Sequence, residues 1–525
     1  MVLRREYVAG TAGRTTGPHG IPSVPGMTTR TTTRRTVLRW GAAVSASLVV
    51  PSAGVAGFVW AGAGRGNVGT LTFRNRLPIP PELDASPGAA LTLRSGESRL
   101  LPGPRTPTWG ANGSILGPTL RARRGARVSV AVTNRLPETT SLHWHGMHLP
   151  AIADGGPHQP IAPGATWRPT WTIDQRAATL WYHPHLHRTT ARHVYRGIAG
   201  LFLIDDERSD TLPHDYGVDD IPLIVQDRNF TRDGRLDEAN LGFGGLATTG
   251  LLGDTILVNG GYDPFVEVVT RRVRFRLVNG SNARVYSLGF TDHRAFTLVA
   301  TDAGWLETPV RCTRLRLSPG ERAEIVVAFD PGERVVLRSF APRLGGNLLT
   351  QRLAGGDDTF DLVQVRAAAT LRPSPAVPER LTTGVRRPAI TVPEPFRLDL
   401  GEFHLNGAVL DHGRIDRRVA AGSVERWEIR NPGQNVHNVH VHGASFHLLD
   451  RDGAPPPEAE RGEKDTVFVP ANSAVTLAVR YGTHVDARSP YMYHCHLLAH
   501  EDAGMMGQYV VVGPGAVARA HRHGE

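Results

Sequence analysis

Short segments in which apolar and polar residues alternate recur along the chain. Residues 127–132, 272–280 and 423–431 place apolar side chains at about every second position, and an asparagine lies at or within two residues of the end of each segment. Because the side chains of a strand point alternately to its two faces, this period predicts strands with one buried face. The 58 glycines and 39 prolines are spread along the chain and favour many short strands joined by turns.

A second repeated phrase predicts a turn before a later strand in each third of the chain. Residues 162–165, 318–322 and 469–473 each contain a proline followed by small or polar residues. Corresponding phrases lie about 150 residues apart, the size of one Greek-key β-sandwich with elaborations. The chain is therefore predicted to be all-β, with three sandwich domains. The predicted bounds are a leader at 1–63, domain 1 at 68–210, domain 2 at 211–372, a linker at 373–395, domain 3 at 396–515 and a tail at 516–525.

The formal net charge of +10 lies mostly in the leader. Residues 1–63 contain seven arginines and one glutamate, which leaves about +4 on the rest of the chain. No basic stripe interleaved with aromatic residues follows, so we expect no nucleic-acid partner.

The leader has the pattern of a twin-arginine export signal. The arginine pair at 34–35 precedes an apolar run at 40–50 and then small residues. A membrane anchor is the alternative, but Pro51 and several glycines interrupt the run before it reaches the about 20 residues that a span needs. We expect recognition by the twin-arginine (Tat) export machinery, cleavage after Ala53 or Ala63, and a periplasmic, cell-surface or secreted location.

Four histidine pairs of the form His-x-His stand near the two ends of the predicted body. Residues i and i+2 of a strand point to one face, so each pair offers two imidazoles in one direction. A single pair is weak evidence, but four pairs in one chain predict a metal centre, and imidazole is a good copper ligand. The pairs are His143 and His145, His183 and His185, His440 and His442, and His494 and His496.

Cys495 lies between the two histidines of the fourth pair. Two histidines, one cysteine and a weak axial methionine form a blue-copper electron-transfer site, and His437, His500 and Met505 complete that set. Because Cys495 is bonded to both neighbouring histidines, the backbone would directly join the two predicted centres. With only two cysteines, at most one disulfide is possible, and metal ligation is the preferred interpretation; Cys312 is expected to be a small buried thiol.

Four segments resemble the copper signatures of the multicopper oxidase family. They are residues 142–146, 181–185, 437–443 and 494–506, and the resemblance extends over most of 68–513. That family includes laccases, bilirubin oxidases and bacterial copper-efflux oxidases and is built from cupredoxin domains. The resemblance implies three cupredoxin-like domains and four copper ions. It permits a monomer, because domains 1 and 3 of one chain can hold all four ions, with domain 2 as a spacer.

The resemblance also implies a role for each ligand. His143 and His440 are similar to ligands of the type 2 copper. Two acids match positions that deliver protons during oxygen reduction, Asp154 and Glu501. The type 1 set is His437, Cys495, His500 and Met505. The ligands similar to those of the paired type 3 coppers are His145, His183, His185, His442, His494 and His496.

The sequence indicates the electron donor less clearly than it indicates the copper ligands. Family members that oxidise cuprous ions often carry a methionine-rich insert, but this chain has six methionines and none at 341–370. We therefore expect a laccase-like oxidase that takes electrons from phenolic or aromatic donors and reduces O2 to water. The alternatives are a metallo-oxidase of Cu(I), Mn(II) or Fe(II) in metal homeostasis and an exported, copper-free cupredoxin scaffold, which the complete ligand set disfavours.

Histidines near the four signatures are interpreted as loop, hydrogen-bonded or structural residues. This interpretation covers His148, His158, His187, His193 and His447.

Overall fold

Short strands make up most of the regular secondary structure in the described part of the chain. The computed structural model describes residues 65–86, 88–239, 241–242, 249–383 and 387–513. The predicted leader, with its export signal, and the predicted tail lie outside these described residues. None of the helices in the described ranges has the length and apolar character needed to cross a membrane. The predicted all-β class is confirmed.

A first pair of sheets follows the short strand β1 (Asn75–Arg76), which itself pairs with a later strand. Its two sheets have the orders β2-β5-β11-β10-β7 and β4-β3-β6-β8, with β9 also paired to β6. A buried cluster that includes Leu91, Val130 and Phe202 fills the space between them. The strands are β2 (Glu82–Asp84), β3 (Ala89–Ser98), β4 (Thr106–Ala111), β5 (Thr119–Arg123), β6 (Arg127–Arg135), β7 (His143–His145), β8 (Thr166–Trp167), β9 (Thr170–Thr172), β10 (Ala178–His183) and β11 (Gly200–Asp205).

A second pair of sheets is larger. Its orders are β14-β13-β12-β16-β21-β18-β19 and β1-β15-β23-β22-β17-β20, around a core that includes Leu223, Phe275 and Ile325. The strands are β12 (Asp220–Arg228), β13 (Thr255–Val258), β14 (Gly261–Tyr262), β15 (Pro264–Thr270), β16 (Arg272–Asn279), β17 (Tyr286–Phe290), β18 (Phe296–Thr301), β19 (Gly304–Cys312), β20 (Leu315–Leu317), β21 (Arg322–Ala328), β22 (Arg334–Phe340) and β23 (Phe360–Arg372).

A third pair of sheets completes the described chain. Its orders are β24-β26-β31-β28-β29 and β25-β33-β32-β27-β30, with Trp427, Val439 and Leu477 in its core. The strands are β24 (Val392–Asp399), β25 (Arg417–Ala420), β26 (Val424–Asn431), β27 (His437–Val441), β28 (Ala444–Arg451), β29 (Glu463–Lys464), β30 (Thr466–Val469), β31 (Ser473–Tyr481), β32 (Asp486–Cys495) and β33 (Met506–Val512). The predicted domain boundaries stay predictions.

Helices are few and short. The described α-helices are α1 (Thr190–Arg196), α2 (Leu348–Leu353) and α3 (Leu498–Asp502), and single 3₁₀ turns occur at Ala151–Ala153, Ser209–Thr211 and Glu458–Glu460. Helices α1 and α3 matter for the site, because each follows a segment that carries predicted ligands.

The three alternating segments are confirmed as the strands β6, β16 and β26. In each repeat, the asparagine at the end of this strand is hydrogen-bonded to the region of the later proline-containing turn. Its side-chain amide donates a hydrogen bond to a carbonyl within or directly before the proline-containing turn. These bonds run from Asn134 to Ile161 at 2.7 Å, from Asn279 to Leu317 at 2.9 Å, and from Asn431 to Pro470 at 2.8 Å. The same local device therefore closes one loop in each pair of sheets.

Candidate metal centre

Two strand pairs carry the four histidine pairs. His143 and His145 both lie in β7, whereas the second histidine of each other pair lies just beyond the end of its strand. β7 pairs with β10 and sets His143 opposite His183, while β27 pairs with β32 and sets His440 opposite His494. Rings from the first and third pairs of sheets then stack on one another: His145 lies over His440 with ring centroids 3.7 Å apart. The site is thus formed between the first and third pairs of sheets.

The eight imidazoles form three groups of buried nitrogen donors. In each group the potential ligand atoms all lie within 4.8 Å of one another. Within these groups, Nε2 of His494 lies 3.0 Å from Nε2 of His185 and 3.1 Å from Nε2 of His442. The groups are His143 with His145 and His440, His145 with His183 and His496, and His185 with His442 and His494.

Burial disfavours the charged form of most imidazoles of this centre. Burial lowers the pKa of six of them well below the usual value of 6.5. Among the described residues, Nε2 of His143, Nε2 of His440 and both ring nitrogens of His496 have no hydrogen-bond partner. Buried polar atoms without partners are costly, and converging neutral imidazoles are what copper binds, so the residues fit the implied ions. The six lowered groups are His145, His183, His185, His442, His494 and His496.

The predicted blue-copper residues also converge. Sγ of Cys495 lies 3.6 Å from Nδ1 of His437 and 3.6 Å from Nδ1 of His500. Burial lowers the pKa of His437 and raises the pKa of the Cys495 thiol to about 12, so a cation would be needed to hold the sulfur as a thiolate. Met505 is buried, and its carbonyl accepts a hydrogen bond from the amide of Cys495 at 3.1 Å.

Both predicted proton-delivering acids lie against these imidazoles. Nδ1 of His442 donates to Oδ2 of Asp154 at 2.7 Å. Glu501, on α3, lies 3.3 Å from Nδ1 of His185, and burial raises its pKa well above 4.5. Each acid therefore lies directly beside imidazoles of the histidine groups.

Two further residues of the site were not predicted. Asp465 lies 3.1 Å from Nε2 of His145, and its carbonyl accepts a hydrogen bond from Nδ1 of His440 at 2.9 Å. Arg322, at the start of β21 in the second pair of sheets, forms two 2.6 Å hydrogen bonds to the Asp465 carboxylate. Such outer partners orient metal-binding imidazoles. The sequence signal was only a lone Asp-Thr after a basic residue, and the partner is far along the chain.

Gly320 brings the second pair of sheets against the histidines. It lies in the repeated turn 318–322 with φ +84°, and a Cβ there would come within 3.0 Å of the His496 ring and 3.1 Å of the His145 ring. Together with Arg322 this contact gives the middle pair of sheets a direct part in shaping the centre, in addition to the predicted role as a spacer.

The other residues that the sequence analysis singled out lie in different environments. Trp144 packs against Trp171 and Tyr182, and Cys312 is half-buried, more exposed than predicted. His447 is buried, with no partner for either ring nitrogen among the described residues. His158 and His187 are not isolated loop residues, because both lie beside His412, as described below.

His193 is a buried structural histidine. Its Nε2 lies 2.7 Å from a carboxylate oxygen of Glu138, and its Nδ1 lies 2.9 Å from Oγ1 of Thr140. Burial lowers the pKa of His193 to about 4.

The His193 environment predicts an acid-sensitive contribution to stability. The unfolded chain binds a proton at His193 near pH 6.5, whereas the folded protein resists it until about pH 4. We expect the stabilising contribution of the neutral ring to be present above pH 6.5 and to be lost, by roughly 3 kcal/mol, as the pH falls toward 4. Denaturant unfolding of wild type and His193→Gln across this window measures the difference. An equal slope in both proteins would contradict the prediction, and His404→Gln at an exposed position is the control.

Comparisons with known proteins cover most of the chain. Family models described as multicopper oxidase match residues 92–209, 235–337 and 371–514. Cell division protein FtsP of Escherichia coli (strain K12) is 36% identical over 446 residues, which cover 83% of this chain and 92% of FtsP. FtsP of Salmonella typhimurium gives the same identity and coverage.

Solved structures share the fold. A laccase-like multicopper oxidase from Ochrobactrum sp., described as having oxidase activity towards lignin model compounds and lignosulfonate, is 34% identical, with 83% of this chain and 100% of that chain covered and a TM-score of 0.76. A multicopper oxidase from Pediococcus acidilactici is 33% identical, with 88% and 96% covered and a TM-score of 0.75. The predicted cupredoxin-like β-sandwich fold is confirmed.

Proposed function

The chain belongs to the multicopper oxidase family, and from that premise we propose that it is an active oxidase holding four copper ions. It would couple four one-electron oxidations of a donor to the reduction of O2 to two water molecules. The observation that carries this proposal is the convergence of all ten predicted histidine ligands and Cys495 into buried groups of potential metal ligands. A scaffold without metal has no physical reason to keep so many unpartnered nitrogens buried.

Bound copper would supply the one-electron chemistry, and the protein would hold, connect and supply protons to its sites. Cys495 provides the connection, since its two covalent neighbours are His494 and His496. Its sulfur belongs to the group with His437 and His500, while the neighbouring rings belong to two other histidine groups. Burial of all these side chains excludes bulk water from the space between the groups.

Asp154 and Glu501 are proposed to supply protons. Asp154 accepts a hydrogen bond from His442 and lies 3.5 Å from Nδ1 of His143. Neither carboxylate oxygen of Glu501 has a hydrogen-bond partner among the described residues, and one lies 3.5 Å from Nδ1 of His494. Each acid can hold a proton at an oxygen beside the histidine groups, which is the position that a proton donor to reduced oxygen requires.

Removing either acid should slow turnover without removing the blue colour. We expect Asp154→Asn and Glu501→Gln to lower the maximal rate of oxygen uptake by about 10²-fold, a typical loss for a general acid, because the amides cannot donate a carboxyl proton. The rate is measured with an oxygen electrode on copper-loaded protein. Asp502→Asn is the neighbouring control. The Asp502 carboxylate accepts hydrogen bonds from the backbone amides of Thr190 and Ala191, and it is not proposed to supply protons. Equal rates in all the proteins would refute the assigned role.

A phenolic or aromatic donor is the proposed substrate class. Within 341–370 the described helix α2 exposes Leu348 and Leu349, and no methionine lies in this range. The amide of Asn347, which precedes α2, donates to Gln434 at 3.2 Å, and Gln434 stands three residues before His437. Apolar side chains on a helix whose start is bonded to the segment before His437 favour an aromatic donor over a cuprous ion, which prefers thioethers.

Donor class is tested by parallel oxygen-uptake assays. Copper-loaded protein is supplied with a phenol, an aromatic amine, Cu(I), Mn(II) or Fe(II) at matched concentrations. The proposal expects the highest kcat/KM with an aromatic donor. Activity confined to metal ions would replace it with the metallo-oxidase alternative.

A role in cell division is the second candidate function, because the FtsP relatives are named as cell division proteins. The two functions separate genetically in a strain that lacks this chain. If division alone requires the protein, Cys495→Ser restores growth as well as wild type does. If oxidation is required, the same variant fails although it accumulates to the wild-type level. In either case we propose export by the twin-arginine route, which cell fractionation with and without the arginine pair at 34–35 would test.

A further inference from the structure

Three histidines outside the candidate copper centre meet near the surface. His158 and His187 belong to the first third of the described chain, whereas His412 lies in the loop before β25. His412 is exposed, and the other two are half-buried. The sequence alone gave no reason to associate them, because no spacing relates residue 412 to the other two.

Two rings of this trio lie within hydrogen-bond distance of each other, and the third lies beside one of them. Nδ1 of His187 lies 3.2 Å from Nε2 of His412, and their ring centroids are 5.4 Å apart. The ring of His158 stands edge-on to that of His412, with centroids 5.5 Å apart. At this distance His187 and His412 can share one hydrogen bond. The third ring, that of His158, takes no part in that bond.

One ring nitrogen of His158 is held by a hydrogen bond, which leaves the other as the potential metal donor. Its Nε2 lies 2.8 Å from the side-chain oxygen Oε1 of Gln508. With Nε2–H donating to that oxygen, Nδ1 carries the lone pair. Metal-binding histidines usually donate their other ring N–H to a carbonyl or carboxylate, which fixes tautomer and ring orientation. Gln508 is itself buried, and its Nε2 donates to the carbonyl of Asp411, next to His412.

We propose that His158, His187 and His412 form a separate surface site for a divalent transition-metal ion such as Zn2+ or Cu2+. Imidazole is a preferred ligand for both ions. Such an ion would link the first and third pairs of sheets from outside. The inference does not depend on the proposed oxidase activity, because none of the three residues belongs to the predicted copper ligands.

The site would lie beside the blue-copper loop. A Cβ at Gly504, the residue before Met505, would come within 3.6 Å of Nε2 of His187. The amide of Leu410 also donates to the carbonyl of Gly504 at 2.8 Å, so the loop that carries His412 packs on this segment. Metal bound here would therefore rest against the segment that carries the predicted axial ligand.

Zinc titration tests the site. Copper-loaded protein is titrated with Zn2+ by calorimetry, and the blue absorbance is followed to detect displacement of copper. We expect His412→Ala to remove one zinc site or weaken it at least about tenfold, as removal of a metal-site residue does. His404→Ala, in the same region and also exposed, is the matched control and should bind zinc as wild type does.

Comparing the variants separates zinc binding at the three surface histidines from metal binding at the proposed copper sites. Zinc held by other histidines of the chain appears equally in wild type, His404→Ala and His412→Ala, so only the difference counts. If the protein takes up no copper, the same difference is measured on the copper-free protein. His158→Ala should also weaken the site. Identical zinc isotherms for wild type and His412→Ala would overturn the inference, whatever the oxidase assays give.

Discussion

Cys495→Ser is expected to abolish the blue colour of the copper-loaded protein and to reduce oxygen uptake to the rate without enzyme. The hydroxyl of serine is a hard, weakly acidic ligand and cannot replace the soft thiolate of a blue-copper site. The same substitution removes the sulfur through which the blue-copper site is connected to His494 and His496. Visible absorption and an oxygen electrode measure the two effects on the same sample.

The chain supplies its own control for this experiment. Cys312, the other cysteine, is half-buried at the end of β19 and hydrogen-bonds to the carbonyl of Val310. Cys312→Ser should keep both the colour and the rate. Colour retained in Cys495→Ser, or lost in Cys312→Ser, would remove Cys495 from the proposed blue-copper site.

Arg322→Met is expected to destabilise the folded protein by roughly 3–5 kcal/mol, the usual effect of leaving one partner of a buried ion pair uncompensated. The arginine side chain is 0% exposed, and its partner Asp465 is 1% exposed. Asp465 also holds His145 and His440, so we expect weaker retention of copper in addition. Denaturant unfolding and copper release to a chelator measure the two effects.

Arg294→Met is the matched control for that substitution. Arg294 pairs with Asp292 and Glu333 within the second pair of sheets, but its side chain is 21% exposed. Solvent-accessible ion pairs contribute about 0–1 kcal/mol, so this variant should change stability little and copper retention not at all. Equal losses in the two variants would mean that Arg322 has no special relation to the centre.

Local sequence was sufficient for the strands and turns of each repeat. The alternation that ends at Asn134, Asn279 and Asn431 is a property of a few adjacent residues, and so is each proline-containing turn. Their spacing implied three similar units. The bond between asparagine and turn was not foreseen, because hydrogen bonds across a loop depend on how the intervening residues fold back.

Ligand convergence was predictable for a related reason. A His-x-His pair aims two rings in one direction wherever its strand lies, and Cys495 between two such rings has few other uses. A single residue has no spacing pattern from which its position in the fold could be predicted. Asp465 and Arg322 are separated by 143 positions, and His187 and His412 by 225, so only the packed structure reveals that they meet.

The division of ligands between the two ends of the chain affects when metal can be retained. His143 to His185 are synthesised early, but their counterparts from His437 to Met505 are among the last residues of the described chain. A nascent or truncated polypeptide ending before β32 would present at most a partial ligand set, from which copper exchanges readily. Firm copper retention would therefore report that synthesis and folding have both been completed, and proteolytic loss of the final strands should release the metal from an otherwise largely intact protein.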